Sequence, residues 1–592
     1  MGILIDTVRI SGFRGIHNLE MNLSPLTVLI GQNNSGKTSF LKAMQLALGD
    51  YGYALREEDL HIGADEVRAK EIIVDLRIVS TETTGVRKRE FSDEWTAEFG
   101  DKIKAEANGF QFVAIRTISK PSLVKGGFET ARHVLGNWPD VNHWVSEKPK
   151  QRITTRFESI PFFATDAQRD IHAELREKSS FVGKVLSAVD YNTADVKALE
   201  EMIAEVNEAA VGKSDELKGL KDNLDRLNKS FHGSGSAEIT PLPKKLRDLS
   251  KFFSVHFGDS SANSFSMEYH GMGTRSWASL LTVRSFSELL AEKHRKETKP
   301  FHSIIAVEEP EAHLHPSAQK TLYSQLSVKD GQAIVSTHSP YVASAAKTSD
   351  IKHIGKNGSA IAIRSFGAGL SPENLKSIRR NILLPKGDLL FASAVLLYEG
   401  PTEDQVIPAM FERYTSASIH ERGIVCACVN GSGNYTPFLM VVGSLGIAAY
   451  ILSDHDGSTK KTVDDQVSAL VSKQHFDFSR FHHDFLTTGN DFEAELVAHG
   501  LRPEIETAMV LAAMAEVADK NDKYKEHFFK AKQKEFSALS EGALLEKMRS
   551  EKTSYSGFLA DVIRESPATK TAEMLVPGNI RAAFDQLIKW AG

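Results

Sequence analysis

Three groups of acidic residues in the last third of the chain could act together in catalysis. They are Glu399 with Glu403 in EGPTED, Asp454 with Asp456 in DHDG, and Asp491 with Glu493 in DFEAE. The carboxyl ends of parallel strands meet at one edge of a sheet, so carboxylates that follow such strands are expected to converge there. Converging carboxylates repel one another unless a hard divalent cation neutralises them. Such a cluster is what two-metal phosphodiester chemistry requires.

Each acidic motif also has a purely structural interpretation. EGPTED could be a helix N-terminus, with Thr402 as the cap and the acids favourably placed against the helix dipole. DHDG could be a turn. The functional interpretation is favoured because the two motifs each follow an apolar, strand-like segment, about fifty residues apart.

The segment from Gly31 to Thr38, GQNNSGKT, fits the P-loop pattern and lies between an apolar strand and a helix. In such a loop, backbone N–H groups surround the phosphates, Lys37 pairs with the β- and γ-phosphates, and Thr38 binds magnesium. This predicts an ATP site whose candidate residues are Gly31, Asn34, Gly36, Lys37, Thr38 and Ser39.

A second apolar strand ends in Glu308 and Glu309, the arrangement of a Walker B motif. Glu308 is expected to hold the Mg²⁺ shell and Glu309 to orient the attacking water as the catalytic carboxylate of ATP hydrolysis. Glutamate in place of the commoner aspartate at 308 adds a methylene, which predicts slow turnover.

EEPEAHLHP (308–316), IVSTHSP (334–340) and SGFRGI (11–16) together resemble ABC ATPases of the RecF/SMC/Rad50 kind. The resemblance implies that His338 senses the γ-phosphate. YHGMGTRSW (269–277) stands where those proteins have their signature motif, which makes Gly271, Gly273 and Thr274 candidates for reaching a partner subunit's nucleotide. Gln168 is a candidate Q-loop glutamine. A signature that acts on a second subunit implies a homodimer or higher homo-oligomer.

The EG…E motif followed by DxD resembles the Toprim domain, and EGPTED behind a RecF-like ATPase resembles the OLD (overcoming lysogenisation defect) nucleases in particular. The resemblance implies Mg²⁺ or Mn²⁺ as cofactor, two ions in all. Its metal ligands would be Glu399, Glu403, Asp454 and Asp456, joined by Asp491 and Glu493. Lys570 in ATKTAEML would stabilise charge on the phosphate, or else be an ordinary exposed lysine. DNA would be the substrate, and antiphage defence or DNA repair in a prokaryote the setting.

Alternating strands and helices predict an α/β chain with parallel sheets in both halves. The expected domains are an ABC ATPase over 1–390 with a helical dimerisation insertion at about 166–250, and a Toprim domain over 391–592 with a helical extension from about 491. The polar stretch 365–390 is expected to be a linker.

The insertion is expected to contain two amphipathic helices, separated at Gly212. Apolar residues recur at helical spacing in both: Leu199, Ile203 and Val206, then Leu217, Leu220, Leu224 and Leu227. A Gly-, Ser- and Pro-containing stretch, 232–245, is expected to end the pair. Packing against the same domain and dimerisation both fit this pattern.

The amino-acid composition excludes few classes of protein function. The chain has 592 residues, a net charge of −6, no long apolar run and two cysteines, Cys426 and Cys428, whose alternation predicts a buried strand. We expect a cytoplasmic protein without a membrane partner. Three hypotheses remain: an ATP-regulated DNA endonuclease or nickase, an SMC/RecF-like ATPase or sensor with an inactive Toprim domain, and a topoisomerase or primase. The last is disfavoured because neither a further DNA-gate domain nor a zinc ribbon fits. An accessory defence protein is a further candidate partner, and whether ATP activates or inhibits stays open.

Overall fold

The computed structural model describes the residues 2–49, 55–63, 65–82, 85–122, 127–149, 151–154, 157–166, 192–230, 240–244, 256–257, 265–266, 269–326, 330–357, 360–367, 369–473 and 475–592. They form two compact units. The first comprises Met1–Val8, Leu41–Arg56 and Ile73–Ser336, and the second Arg9–Phe40, Glu57–Ile72 and Thr337–Gly592.

The described strands and helices alternate along much of the chain. The strands are β1 Gly2–Phe13, β2 Ile16–Asn22, β3 Leu26–Ile30, β4 Ile72–Thr81, β5 Lys104–Ala105, β6 Gln111–Ser122, β7 Gly127–Val134, β8 Gln151–Ile153, β9 Phe162–Thr165, β10 His256–Phe257, β11 Phe265–Ser266, β12 Ser303–Glu308, β13 Gly331–Ser336, β14 Ile351–Asn357, β15 Ala360–Ser365, β16 Ala394–Tyr398, β17 Ile424–Cys428, β18 Ala448–Ser453 and β19 Phe481–Phe485. The α-helices are α1 Lys37–Leu48, α2 Asp93–Phe99, α3 Thr193–Lys213, α4 Asp215–Ser230, α5 Met272–Lys296, α6 Pro316–Leu326, α7 Pro340–Ala345, α8 Pro372–Ile378, α9 Pro401–Thr415, α10 Tyr435–Leu445, α11 Thr459–Val471, α12 Phe492–Ala498, α13 Arg502–Ala515, α14 Asp522–Ser537, α15 Glu541–Ser550, α16 Lys552–Glu565, α17 Ala572–Leu575 and α18 Gly578–Ala591.

The first unit combines parallel and antiparallel pairing. Strand β12 lies between β9 and β13 and is parallel to both. Its residues from Ser303 to Val307 are buried, as expected for a parallel strand covered on both faces. Strands β5 to β8 pair antiparallel, β6 with β5 and β7, and β7 with β8. The prediction of parallel sheets is thus confirmed for β9, β12 and β13. Strands β5 to β8 differ from the prediction because they pair antiparallel.

The second unit contains the strand that leads into the P-loop and a separate four-stranded sheet. Strand β3 is buried along its length and pairs parallel with β14, which pairs antiparallel with β15. The four-stranded sheet has the order β17-β16-β18-β19, and every neighbouring pair in it is parallel. Its apolar core continues into helices α9, α13, α16 and α18, so the α/β class and the helical extension are confirmed.

The expected linker at 365–390 is wrong. Helix α8 occupies its first part, followed by a π-helical turn at Arg379–Leu383 and a 3-10 turn at Gly387–Phe391. Ile382, Leu383, Leu389 and Leu390 are completely buried. The charged and polar residues between these apolar pairs made the segment resemble a loop, although the pairs anchor it in the core.

Two helices do form in the insertion, α3 and α4. They are separated at Ser214, whereas Gly212 lies inside α3. Met202, Val206, Leu220 and Leu224 are exposed large apolar side chains on these helices. The predicted end of the helix pair, 232–245, lies largely outside the described residues. None of the described helices is long and apolar enough to cross a membrane.

Candidate nucleotide and metal sites

Adjacent strands of the four-stranded sheet bring the first two acidic motifs together. Strands β16 and β18 are direct parallel neighbours, and Glu399 and Asp454 follow their last residues. Glu399 Oε1 accepts hydrogen bonds from the Asp454 backbone N–H at 3.2 Å and from the Ser453 hydroxyl. Burial raises the pKa of Glu399, partly offset by these hydrogen bonds. The two motifs therefore converge at the carboxyl edge of the sheet, as the sequence predicted.

Glu403 lies in the first turn of α9 and is only 4% exposed. Its Oε1 accepts from the Gly400 backbone N–H at 3.0 Å. Its Oε2 is buried and has no hydrogen-bond partner among the described residues. Burial raises the pKa of this carboxyl to about 7, and the charge of Glu493 contributes in the same direction. A buried oxygen of this kind is a ready ligand for a cation.

Asp454 is surrounded by like charges. Burial raises its pKa to about 8. Four neighbouring carboxylates add to the effect, in the order Glu403, Glu399, Asp491 and Asp456. Asp456 itself is exposed, and its Oδ1 accepts from the Thr459 hydroxyl at 2.8 Å. Both DxD aspartates thus lie within one field of negative charge.

The third motif contains two acids with different partners. Asp491 caps α12 by accepting from the Ala494 N–H at 3.0 Å, and it receives two hydrogen bonds from Arg549, from Nε at 2.7 Å and Nη2 at 3.0 Å. Burial opposes ionisation of Asp491, but the hydrogen bonds and charge of Arg549 hold its pKa below the usual value. Asp491 is therefore a paired carboxylate.

Glu493 is fully buried between a hydroxyl and an ammonium group. Thr402 Oγ1 donates to its Oε1 at 2.7 Å, and Lys552 Nζ donates to its Oε2 at 3.0 Å. Burial lowers the pKa of Lys552, but the charges of Glu493, Glu403 and Asp454 outweigh this and raise it. Lys552 thus remains a cation beside the carboxylates.

The structure places Lys552, and not Lys570, in the carboxylate cluster. Lys570 Nζ instead pairs with Glu504 on α13, outside the three acidic motifs. Neither Lys552 nor Arg549 lies in a motif, so the sequence alone does not predict their contacts with the cluster. Both belong to charged, helical sequence that resembles a solvated surface. Lys552 is thus a further candidate for the phosphate-stabilising lysine, and the role expected of Lys570 stays a prediction.

The P-loop has the strained geometry that phosphate-binding loops need. Gly31 has φ +144°, and a Cβ there would lie 2.2 Å from the Ile354 carbonyl oxygen, so only glycine fits. Gly36 and Asn34 also have positive φ, at 107° and 59°. Lys37 is buried, and its Nζ donates to the carbonyls of Gly31 and Gln32, both at 2.8 Å. Thr38 and Ser39 follow on α1.

The remaining predicted nucleotide residues lie at the ends of other elements. In the first unit, Glu308 is the last residue of β12, and Glu309 follows with φ +43°. Helix α5 begins at Met272, and a Cβ on Gly273 would lie 2.4 Å from the His313 carbonyl oxygen. In the second unit, the ring centroids of His338 and Phe391 are 6.5 Å apart, with the rings tilted by 32°. Gln168 lies outside the described residues.

One contact of the P-loop was not predicted. Gln32 Nε2 donates to the Ala392 carbonyl at 3.2 Å and to the Ser393 hydroxyl at 3.0 Å. Ser393 directly precedes β16, and Glu399 directly follows this strand. The P-loop therefore contacts the residues just before the strand that precedes Glu399, a candidate metal ligand. No sequence motif signals this pair, which is separated by about 360 residues.

Comparison with known proteins finds two family matches along the chain. Residues 26–344 match the family described as AAA domain, putative AbiEii toxin, Type IV TA system. Residues 390–456 match the Toprim domain of proteins like the overcoming lysogenization defect protein. The chain belongs to this AAA family and contains an OLD-like Toprim domain. The resemblance inferred from the motifs is confirmed.

Several curated relatives are similar over most of their length. The Old nuclease of Escherichia phage P2 is 24% identical over 77% of this chain and 78% of its own. The OLD nuclease of Thermus scotoductus is 23% identical over 76% and 82%. Endonuclease GajA of Bacillus cereus is 20% identical over 77% and 75%.

The carboxylate cluster fits the divalent cation that a Toprim domain implies. Among the described residues, no three His, Cys, Asp or Glu side chains already stand in a coordination arrangement. The donor set is nevertheless that of a hard cation, and Glu403 offers a buried oxygen without a partner. The charges of Glu403 and Glu399 both raise the pKa of Asp454, so these three carboxylates form one cluster.

Proposed function

We propose that the protein is a divalent-metal-dependent DNA endonuclease whose Toprim site is regulated by ATP at the P-loop. The observation that supports this most directly is the state of Asp454, whose carboxyl has a pKa of about 8 because it is buried among other acids. A fold that places ionisable acids together in this way is destabilised unless a cation compensates them. Three relatives with nuclease names and the Toprim match support the same activity.

The metal ligands in this proposal are Glu399, Glu403, Asp454 and Asp456. Bound Mg²⁺ or Mn²⁺, two ions in the full site, would activate water and neutralise charge on the scissile phosphate. Ser453 orients Glu399 by its hydrogen bond, and Gly400 orients Glu403. These contacts fix where the carboxylate oxygens point before any substrate arrives.

Glu493 and Asp491 have supporting roles. Both already have cationic partners, Lys552 and Arg549, so they hold positive charge at the edge of the cluster. Lys552 is 31% exposed, which leaves its ammonium group accessible to a phosphate oxygen. We assign Lys552 the charge-stabilising role that the resemblance had implied for Lys570.

Nucleotide binding would regulate cleavage by changing the arrangement of the Toprim site, and not by supplying energy for the reaction. Phosphodiester hydrolysis is favourable without ATP, so the nucleotide can influence cleavage only by favouring one arrangement of the site. The hydrogen bonds from Gln32 to Ala392 and Ser393 offer a direct route from the P-loop to β16. Glu308 is consistent with slow hydrolysis, which suits a switch.

The wider context of the proposal follows the family resemblance. We propose a homodimer, with the signature residues Gly271, Gly273 and Thr274 facing a second subunit's nucleotide, and a setting in antiphage defence or DNA repair. An accessory defence protein is compatible with it. The alternative of an ATPase with an inactive Toprim domain is disfavoured because all four acids of the two motifs are present.

Plasmid cleavage tests the proposal. Purified protein is incubated with supercoiled plasmid and Mg²⁺ or Mn²⁺, with and without ATP, and nicked and linear products are quantified. Asp454→Asn should lose at least about 100-fold in rate, because a ligand of the metal is removed. Asp465→Asn, on the exposed face of α11, is the matched control and should cleave normally. Equal rates for Asp454→Asn and the parent would refute the assignment.

A further inference from the structure

A partly open cavity lies beside the P-loop in the second unit. Its volume is 160 Å³. The P-loop residues Gln32, Asn33 and Ser35 form one wall, and Ala392 and Ser393 form another. The remaining lining includes four nitrogen-rich side chains: His353, Lys356, Arg364 and Arg480.

The two arginines are fixed in place. Arg364 Nη2 donates to Asp477 Oδ2 at 2.5 Å, and its guanidinium lies so close to Gly446 that a Cβ there would be 2.4 Å from Arg364 Nε. Arg480 Nη2 donates to the Gly446 carbonyl at 3.0 Å. These contacts hold both guanidinium groups at the cavity without occupying most of their N–H donors.

Positive charge in the cavity exceeds negative charge. Asp477 pairs with Arg364, whereas Arg480 has no carboxylate within salt-bridge distance in the described part of the chain. Burial and the neighbouring Arg364 lower the pKa of Arg480, and the charge of Asp477 offsets part of this effect. Burial lowers the pKa of His353 to about 3, and three cations, Arg364, Lys37 and Arg480, contribute to this. His353 is therefore a neutral imidazole beside a net positive charge.

A buried polar atom at the cavity also lacks a partner. His353 is 7% exposed, and its Nδ1 forms no hydrogen bond with any residue that the structure describes. Fixed arginine donors and an unused imidazole nitrogen suit the oxygen atoms of a tetrahedral anion, whose hydroxyl can donate to an acceptor nitrogen. The size sets a limit, because a cavity of about 150 Å³ holds a benzene-sized molecule. A phosphate group fits within this volume.

We propose that this cavity is a binding site for a phosphate-type anion, held by Arg480, Arg364, Lys356 and His353 and touching both the P-loop and the segment before β16. The site is separate from the phosphate positions inside the P-loop itself, where Lys37 is the binding cation. A ligand here would contact Gln32 and Ser393, the pair that joins the P-loop to β16.

Calorimetric titration of the full chain with inorganic phosphate, against sodium chloride at equal ionic strength, tests the proposal. Lys37→Ala disables the P-loop, so phosphate that binds in the cavity should bind this variant with less than a tenfold loss. Arg480→Gln should weaken binding by about tenfold or more, because a charge-assisted contact is lost. The exposed Arg422→Gln is the matched control and should bind like the parent.

The possible sources of the phosphate group are separated by the same variants. Free phosphate predicts binding that survives Lys37→Ala. A binding heat that appears only with ATP and disappears in Lys37→Ala would come from the P-loop and would overturn the proposal. Equal phosphate affinity in Arg480→Gln and Arg422→Gln would also overturn it. Lys356→Gln, an exposed position at the cavity, covers the case in which Arg480→Gln fails to fold. It should weaken phosphate binding severalfold, and parental affinity would count against the site.

Discussion

The carboxylate cluster predicts an unusual dependence of folding stability on pH when no metal is bound. Glu403 has a pKa of about 7 in the folded chain against 4.5 ordinarily, so the folded state holds its proton longer than the unfolded state. Stability therefore falls as pH rises from about 4.5 to 7, and the loss is complete above that window. For Glu403 alone the difference corresponds to about 3 kcal/mol.

Glu403→Gln isolates this contribution, because glutamine has nearly the same shape and does not ionise. In EDTA at pH 8 the variant should be more stable than the parent by up to about 3 kcal/mol, a rise in Tm of roughly 6–12 °C. At pH 4.5 the two should melt alike. Saturating Mg²⁺ should raise the Tm of the parent more than that of the variant, because the cation favours the ionised carboxylate.

Differential scanning calorimetry from pH 4.5 to 8.5, in EDTA and in Mg²⁺, measures both effects. Glu421→Gln replaces an exposed glutamate in the same domain and should follow the parent at every pH. Parallel pH profiles for the parent and Glu403→Gln in EDTA would show that Glu403 is not held in a strained, protonated state. That result would refute the electrostatic reasoning for the whole cluster.

Three further predictions concern the proposed role of Lys552, the dimer interface and the effect of ATP on cleavage. Lys552→Met should reduce the rate of plasmid cleavage at least about 10-fold while metal binding persists. Lys570→Met should lower the Tm, because it leaves Glu504 unpaired, but should keep the parental cleavage rate. The reverse ranking of the two cleavage rates would favour Lys570 as the phosphate-stabilising lysine. Aspartate at both Leu220 and Leu224 should convert a dimer to monomer in light scattering if the exposed face of α4 is an interface; an unchanged mass would assign the interface elsewhere. A non-hydrolysable ATP analogue should change the cleavage rate in the same direction and to the same extent as ATP, whereas an effect of ATP alone would indicate a motor.

The sequence by itself predicted the candidate residues of both sites. Glycine is required at position 31 because the Cβ of any other residue would collide with the carbonyl oxygen of Ile354. The P-loop pattern can therefore be recognised from the sequence alone. The acids that follow β16 and β18 can also be recognised from the sequence. Buried parallel strands are continuous apolar runs, and their carboxyl ends must meet, so Glu399 and Asp454 could be paired from sequence.

Only the tertiary structure decided which other residues belong to these sites. Lys552 reaches Glu493 because α16 packs against the sheet's helices, and a lysine in a charged helix has no local feature that distinguishes it from Lys570. Gln32 and Ser393 are distant in sequence and meet through the packing of the second unit. The segment 365–390 was misjudged because burial of Ile382 and Leu389 depends on partners from other elements. Local sequence records what a backbone position requires, whereas contacts between distant segments depend on how the whole chain packs.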